Sequence, residues 1–407
     1  MAIIPRRNIG SIIEECLMRW SQEDQQWPVG PVEAQEILQF ADDDIDAARG
    51  LSYRIARTGK GNIISFSPKV FIPLTHMCRD YCGYCTFRKE PEDLDDLFMN
   101  VEQVLDLAKE GAGLGCAEAL FTLGERPESR YPVAKAWLKN MGYGSTLDYL
   151  ADVCQVVNDE TEMLPHANPG TMSKRQLQSL RSSNVSMGLM LESISDRLFG
   201  PGMPHEFAPS KRPVARMKTL RNAGVLRIPF TTGILIGLGE SKQDVVDSIL
   251  AIKKLHETFG HIQEVIVQNF RAKKETPMAD VSDATQEYLS WALIVTRLIM
   301  GPEINLQVPP NLSPNHFQSF LDDGINDWGG VSPLTIDHVN PEAKWPTISK
   351  LNAVCEKKGL ELKPRFPVYP EFMSKAKGFI EESLYDKVVG QSDGTGYKKG
   401  GISGYIT

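Results

Sequence analysis

From about residue 66 onward, short apolar, β-branched runs end in polar residues, and each is followed by a stretch long enough for a helix. Strand-length apolar runs alternating with helical patterns mark βαβ units around a parallel sheet. The runs fall at 69–74, 118–123, 164–168, 186–192, 227–236, 264–269, 305–308 and, most weakly, 324–328. Helical patterns lie between them at 101–110, 147–160, 174–182, 213–223, 243–258, 285–300 and 316–321. Eight strands in this alternation predict an α/β fold of the (β/α)8 TIM type, whole or partial, with its reactive residues at the C-terminal ends of the strands. Ahead of it, Ile12, Ile13, Cys16 and Leu17 share helical spacing, and Pro28, Gly30 and Pro31 separate them from a second amphipathic run at 32–55. The expected organisation is a helical N-terminal extension over 1–60, the barrel over 61–360, and a C-terminal extension over 361–407. The glycine-rich tail from Lys398 is expected to fray or to cap the barrel.

Composition narrows the function. A chain of 407 residues, 42% hydrophobic and 24% charged, suits a soluble barrel with extensions. A net charge of -8 leaves no basic footprint for nucleic acid and points to a small-molecule substrate. No apolar stretch reaches the roughly 18 residues of a membrane span. Arg6 and Arg7 precede an apolar run interrupted by Glu14 and Glu15, which fits neither a signal nor a transit peptide, so a cytoplasmic location is expected.

Among seven cysteines, Cys78, Cys82 and Cys85 form a CxxxCxxC triad directly after the first strand, whereas Cys16, Cys116, Cys154 and Cys355 are scattered. In a long chain of this kind the triad suggests metal binding, not a disulfide framework, and the scattered four are expected to pack as small buried hydrophobes. Iron-sulfur clusters are commonly held by four thiolates, so three leave one iron open to a further ligand. A zinc site would ordinarily show a second pair of ligands, and none follows. His76 is expected to orient the loop, and Trp328 to be core. His205, His256 and His316 are expected to be surface or capping residues.

The triad, with Tyr84 just before its last cysteine, resembles the signature of the radical S-adenosylmethionine (SAM) superfamily. That resemblance implies a [4Fe-4S] cluster on Cys78, Cys82 and Cys85. Its open iron would bind SAM, whose cleavage gives a 5'-deoxyadenosyl radical, with Tyr84 near the adenine. Thr122-Leu123-Gly124-Glu125 is similar to the family's GGE element, with Leu123 in place of its first glycine; Gly124 and Glu125 would hold the methionine ammonium. The stretch 233–240 is similar to the G-x-I-x-G-x-x-E element, which places Gly233, Ile234, Gly237 and Glu240 beside the adenine. Glu192 suits a ribose hydroxyl, or is a salt-bridged barrel acid.

Longer stretches at 121–128, 164–170, 228–233, 261–272 and 324–333 resemble the ring-closing subunit of 7,8-didemethyl-8-hydroxy-5-deazariboflavin (FO) synthase, a likeness running from about 67 to 370. It implies conversion of 5-amino-5-(4-hydroxybenzyl)-6-(D-ribitylimino)-5,6-dihydrouracil to FO with loss of ammonia. It also implies a tyrosine-coupling sister subunit that supplies the substrate, and an electron donor such as ferredoxin or flavodoxin. Asn168, Thr231, Gln268, Asn269, Arg271, Asn311 and Asn326 are candidates for contacting substrate at the barrel mouth. His166 and Asp327 are candidates for proton transfer around ammonia loss. The competing functions are the tyrosine-coupling sister itself and a non-catalytic iron-sulfur protein, which would have no need of Glu125 or of 233–240.

Overall fold

A computed structural model describes residues 9–20 and 27–405, so Arg6 and Arg7 lie outside the described residues. Among the described residues the strands are β1 (Ile63–Thr75), β2 (Glu118–Leu123), β3 (Leu164–Asn168), β4 (Ser186–Gly188), β5 (Phe230–Ile236), β6 (Ile262–Asn269), β7 (Asn305–Gln307), β8 (Asp327–Val331) and β9 (Glu361–Pro364). The first eight pair in parallel, each with the next, and β8 returns to β1, closing the (β/α)8 barrel that the pattern predicts.

The thirteen residues of β1 serve three partners. Its first half pairs with β9, from Ile63 opposite Glu361 to Phe66 opposite Pro364, and its second half with β2, from Lys69 opposite Glu118 to Thr75 opposite Leu123. Ser65 faces Asp327 of β8 while also facing Lys363, so β9 extends the sheet below β2 on the same edge of β1. After β9 the chain crosses the N-terminal end of the barrel. Arg365 N–H donates to Phe66 O, the Pro367 carbonyl accepts from Ser186 Oγ and Gln263 Nε2, and Tyr369 N–H donates to Gln263 Oε1. The tail caps this end too: the Tyr405 ring meets Phe66 edge-on and its hydroxyl donates to Gly115 O.

The N-terminal helices are α1 (Ile9–Arg19), α2 (Pro31–Asp43) and α3 (Ile45–Lys60); the expected single run from 32 to 55 divides at Asp44, whose carboxylate caps α3 by accepting from Ala47 N–H. The barrel helices follow as α4 (Val101–Gly113), α5 (Pro132–Asn140), α6 (Thr146–Glu160), α7 (Lys174–Arg181), α8 (Pro213–Val225), α9 (Lys242–Phe259) and α10 (Gln286–Met300), and then come α11 (Ile348–Glu356) and α12 (Glu382–Gln391). Every residue of α10 from Leu289 to Met300 is buried, because the helix lies between the barrel on one side and α2 and α3 on the other. A helix buried all round is apolar all round, which explains why its sequence shows no polar face. No helix of the described residues is long and apolar enough to cross a membrane.

Among the strand boundaries that differ from expectation, two matter for the site. The ladder of β4 stops at Gly188, and Glu192 rejoins the sheet by a single bridge to Ile234 with a left-handed φ of 67°. The eighth strand begins at Asp327, where it was expected to be ending. Asn326 and Asp327 therefore sit at the closed, N-terminal end of the barrel.

Candidate functional site

The cysteine loop is built by backbone bonds to its neighbours. Arg79 N–H donates to Glu125 O, Tyr81 N–H to Phe207 O and Gly83 N–H to Pro204 O. His76 closes the loop as expected: its Nδ1 lies 2.9 Å from Phe87 O and its ring packs on Phe87. Gly124 is required at the crossing, since a Cβ there would stand 1.9 Å from Met77 O. These contacts bring Cys78, Cys82 and Cys85 into the lining of a cavity of about 260 Å³, together with Tyr84, Gly124, Glu125, Glu192, Lys211 and Arg216.

Glu192 is the electrostatic centre of that cavity. It accepts from Tyr84 Oη at 2.6 Å and from Lys211 Nζ, with His205 Nε2 at 3.2 Å and Arg216 Nη1 at 3.5 Å. Burial alone would raise its pKa, but Lys211 and Arg216 overcome burial and hold the carboxyl well below its ordinary range. Glu192 is thus both the salt-bridged acid and a cavity-lining group. His205 is buried behind it, not on the surface, and burial lowers its pKa. Glu125 accepts from Thr171 N–H at 2.8 Å and Thr171 Oγ1 at 2.6 Å, while its own N–H points at Cys78 Sγ at 3.2 Å.

A second cavity of about 200 Å³ lies inside the barrel and shares Thr122, Asn168, Leu189, Met190, Gln268 and Val339 with the first, so the two adjoin. Charged side chains that no motif announced line it. Lys69 Nζ donates to Glu118 Oε1 at 2.7 Å, and Glu118 also accepts from Ser67 Oγ. Against burial, Lys69 holds the Glu118 carboxyl down at about 2. Below them Arg365 bridges Glu264 at 2.9 Å and Asp327 at 2.7 Å, and Glu264 takes further bonds from Thr231 Oγ1 and Tyr369 Oη.

His166 faces this chamber. Its Nδ1 lies 2.7 Å from Ser186 Oγ, whose own proton goes to Pro367 O, so the imidazole carries its hydrogen on Nδ1. Nε2 keeps its lone pair on the side of Gly188, where a Cβ would crowd it at 3.0 Å. Burial pulls the ring down to about 4, which keeps it neutral near pH 7.

Residues 72–252 match the radical SAM superfamily. The chain is 47% identical to the 7,8-didemethyl-8-hydroxy-5-deazariboflavin synthase of Methanopyrus kandleri over 337 residues, which is 83% of this chain and all of that protein. It belongs to the radical SAM FO synthases. An FO synthase of Nocardia farcinica is 44% identical over 89% of this chain, and there the chain spans 43% of the relative's length. Among solved structures, the [FeFe]-hydrogenase maturase HydG from Carboxydothermus hydrogenoformans has a TM-score of 0.68 over 94% of this chain and 88% of its own, and methylornithine synthase (PylB) one of 0.65 over 87% and 96%, at 17% and 16% identity. These two establish likeness of fold.

Radical SAM FO synthases use a [4Fe-4S] cluster and SAM. The upper cavity fits such a group: three thiols line it, Cys78 already receives a backbone N–H, and cationic Lys211 and Arg216 share the lining. Burial pushes the Cys78 thiol up to about 12 and raises Cys82 well above its ordinary value, so metal binding here must displace protons. No group of three or more His, Cys, Asp or Glu among the described residues is gathered as around a single ion.

The other candidate residues divide. Asn168, Thr231, Gln268 and His166 line the inner chamber, and Asn168 and Gln268 also line the upper cavity. Gly233, Ile234, Gly237 and Glu240 line neither cavity; Leu235 is the residue of β5 that reaches the upper one. A Cβ on Gly233 would meet Ile266 O at 2.1 Å, and Glu240 accepts from Gly237 N–H, Leu238 N–H and Tyr288 Oη, so this stretch shapes the strand and its turn. Asn269 is buried outside both cavities, its polar atoms unpartnered among the described residues. Arg271 pairs with Asp283 and Leu312 O, and Asn311 with Asp337. Asn326 accepts from buried Arg297 at 2.9 Å. Asp327 is fully buried beneath the chamber and occupied by Arg365, Ser65 and Gly329 N–H, which removes it as a proton carrier to substrate. The sequence reading missed Lys69, Glu118, Glu264, Gln307 and Arg365; a lone lysine and two acids inside apolar strands were the available signal.

Proposed function

We propose that this chain catalyses the ring-closing step of deazaflavin synthesis, a carbon-nitrogen lyase reaction that converts 5-amino-5-(4-hydroxybenzyl)-6-(D-ribitylimino)-5,6-dihydrouracil to FO with loss of ammonia. The observation that supports it most is that a cysteine-lined cavity adjoins a polar chamber inside the barrel, the two sharing six lining residues. When bound, the cluster and SAM supply a radical that removes one hydrogen atom from the substrate, at the benzylic carbon on this reading. The substrate would then lose ammonia and a proton as its rings join, with its second electron returning to the cluster that gave one up to cleave SAM.

In this reading the protein orients and takes up protons. Asn168 and Gln268, at the junction, hold the substrate so that its reacting carbon faces the upper cavity. Neutral His166, with Nε2 open to the chamber, accepts a proton released during ring closure, while Ser186 and the Pro367 carbonyl fix its orientation. Lys211, Arg216 and Tyr84 keep Glu192 ionised and aligned on the cofactor side. The tyrosine-coupling sister protein supplies the substrate, and a one-electron donor of the ferredoxin or flavodoxin kind reduces the cluster.

The test offers the cluster-loaded chain, with SAM and dithionite, either the dihydrouracil or tyrosine plus 5-amino-6-(D-ribitylamino)uracil. FO forms from the first and nothing is consumed from the second. Consumption of tyrosine by this chain alone would assign it to the coupling reaction instead.

A further inference from the structure

The wall of the inner chamber holds a recognition pair that the reading above leaves unused. Gln307, the last residue of β7, is 6% exposed and lines the chamber, yet its carboxamide bonds to no side chain or backbone group of the described residues. A carboxamide that bonds to no protein group at the wall of a cavity has its donors and acceptor free for a ligand. Beside it, Lys69 spends one of its three N–H donors on Glu118 and also lines the chamber.

Both side chains owe their room to two glycines in β8. The strand bulges against β1: Ser65 faces Asp327, but Ser67 faces Gly330, three residues on. The extra residue falls in the stretch holding Gly329, whose φ of 72° is left-handed. A Cβ on Gly329 would stand 2.0 Å from Gln307 Nε2, and one on Gly330 2.3 Å from Lys69 Cε. Neither glycine is needed to make a strand. Together they clear a strip of wall in which an ammonium and a free carboxamide sit over neighbouring residues of one strand.

We propose that Lys69 and Gln307 read the imide edge of the substrate's pyrimidinedione ring. That edge presents acceptor, donor, acceptor: carbonyl, N–H, carbonyl. An ammonium and a carboxamide supply the complement, with Lys69 donating to one carbonyl, Gln307 Oε1 accepting from the ring N–H and Gln307 Nε2 donating to the other carbonyl. Glu118 already neutralises Lys69, which suits the pair to a neutral carbonyl better than to a phosphate or carboxylate. The assignment rests on the proposed ring-closing function, since it takes the pyrimidinedione from that substrate.

The experiment measures equilibrium binding of FO, which carries the same imide edge, and of FO methylated on the imide nitrogen. The cluster-loaded, SAM-bound protein is used without reductant, so no turnover intervenes. Wild type binds FO on the order of tenfold or more tighter than the methylated form, as loss of one buried hydrogen bond predicts. Gln307→Met keeps the volume and loses both the affinity and the discrimination. Gly330→Ala, which displaces Lys69 without touching Gln307, weakens FO binding but keeps the discrimination, and it carries the test if the methionine variant does not fold. Equal binding of the two ligands by wild type, or full affinity and discrimination in Gln307→Met, would overturn the assignment. Wild type that binds FO and forms it from the dihydrouracil while the variants behave as wild type overturns the recognition pair alone; wild type that does neither brings down the ring-closing function and the pair with it.

Discussion

The two cavities are made in opposite ways. Most of the upper one comes from loops beyond the strand ends, where Cys78, Cys82 and Cys85 lie within eight residues and Gly124 and Glu125 follow β2 directly. The lower one takes single side chains from strands far apart in the chain, Lys69, Glu118, His166, Glu264 and Gln307, and closes on Arg365 from beyond β9. A local motif makes a site that can hold a widely shared cofactor; dispersed contributions make a site whose shape belongs to one substrate. On the proposed function, generation of the radical and its use are separated in space by the residues that the two cavities share, above all Asn168 and Gln268.

The largest effect expected falls on the upper cavity alone. Cys82→Ala abolishes cluster absorbance and 5'-deoxyadenosine formation, yet FO still binds in the chamber below. A variant with an intact cluster would sink the ligand assignment, and lost FO binding would show that the cavities do not act separately. Next, Arg365→Met leaves Glu264 and Asp327 buried without their cation and destabilises the protein by roughly 3–5 kcal/mol in urea unfolding. A loss below about 1 kcal/mol would mean that the chamber floor tolerates bare carboxylates, contrary to the role given to Arg365.

His166→Gln lowers FO formation by about a hundredfold or more while cluster absorbance stays intact, which separates the chemistry of the two cavities. If 5'-deoxyadenosine and FO both persist at wild-type rates, His166 is only a wall residue. The same histidine shapes the pH dependence. Its folded pKa of about 4 lies below the ordinary 6.5, as does that of His256 at about 4. For a depressed histidine the neutral form belongs to the folded state, so the stability it contributes is complete above pH 6.5 and is lost as pH falls toward 4. The urea midpoint therefore drops across that window, and drops less in His166→Gln. The smallest effect is at Tyr84: the phenylalanine variant loses one hydrogen bond to Glu192, about 1 kcal/mol, and weakens SAM binding several-fold without changing FO binding. Unchanged SAM affinity would place Tyr84 outside the cofactor's reach.

The same contrast explains what was legible in the sequence. Alternating apolar runs located β2 and β3 to the residue, because the barrel buries those strands on both faces and the pattern has no competitor. The eighth strand was displaced because Gly329 and Gly330 look like a turn but lie within the strand, where they clear room for Gln307 and Lys69. That displacement carried Asn326 and Asp327 from the mouth to the floor. The stretch from Gly233 to Glu240 was recognisable, but its glycines and Glu240 shape the strand and its turn, and it is Leu235 that lines the upper cavity. β9 and the segment after it were invisible because a four-residue strand with one exposed position carries little periodicity.

On the proposed function, the radical formed at the upper cavity is spent on a substrate held in the chamber below. The most direct measurement uses the dihydrouracil deuterated at its benzylic carbon, with cluster-loaded protein, SAM and reductant, and follows the label by mass spectrometry. The account predicts FO together with 5'-deoxyadenosine carrying one deuterium. Unlabelled 5'-deoxyadenosine, formed at the same rate with and without the substrate, would contradict it.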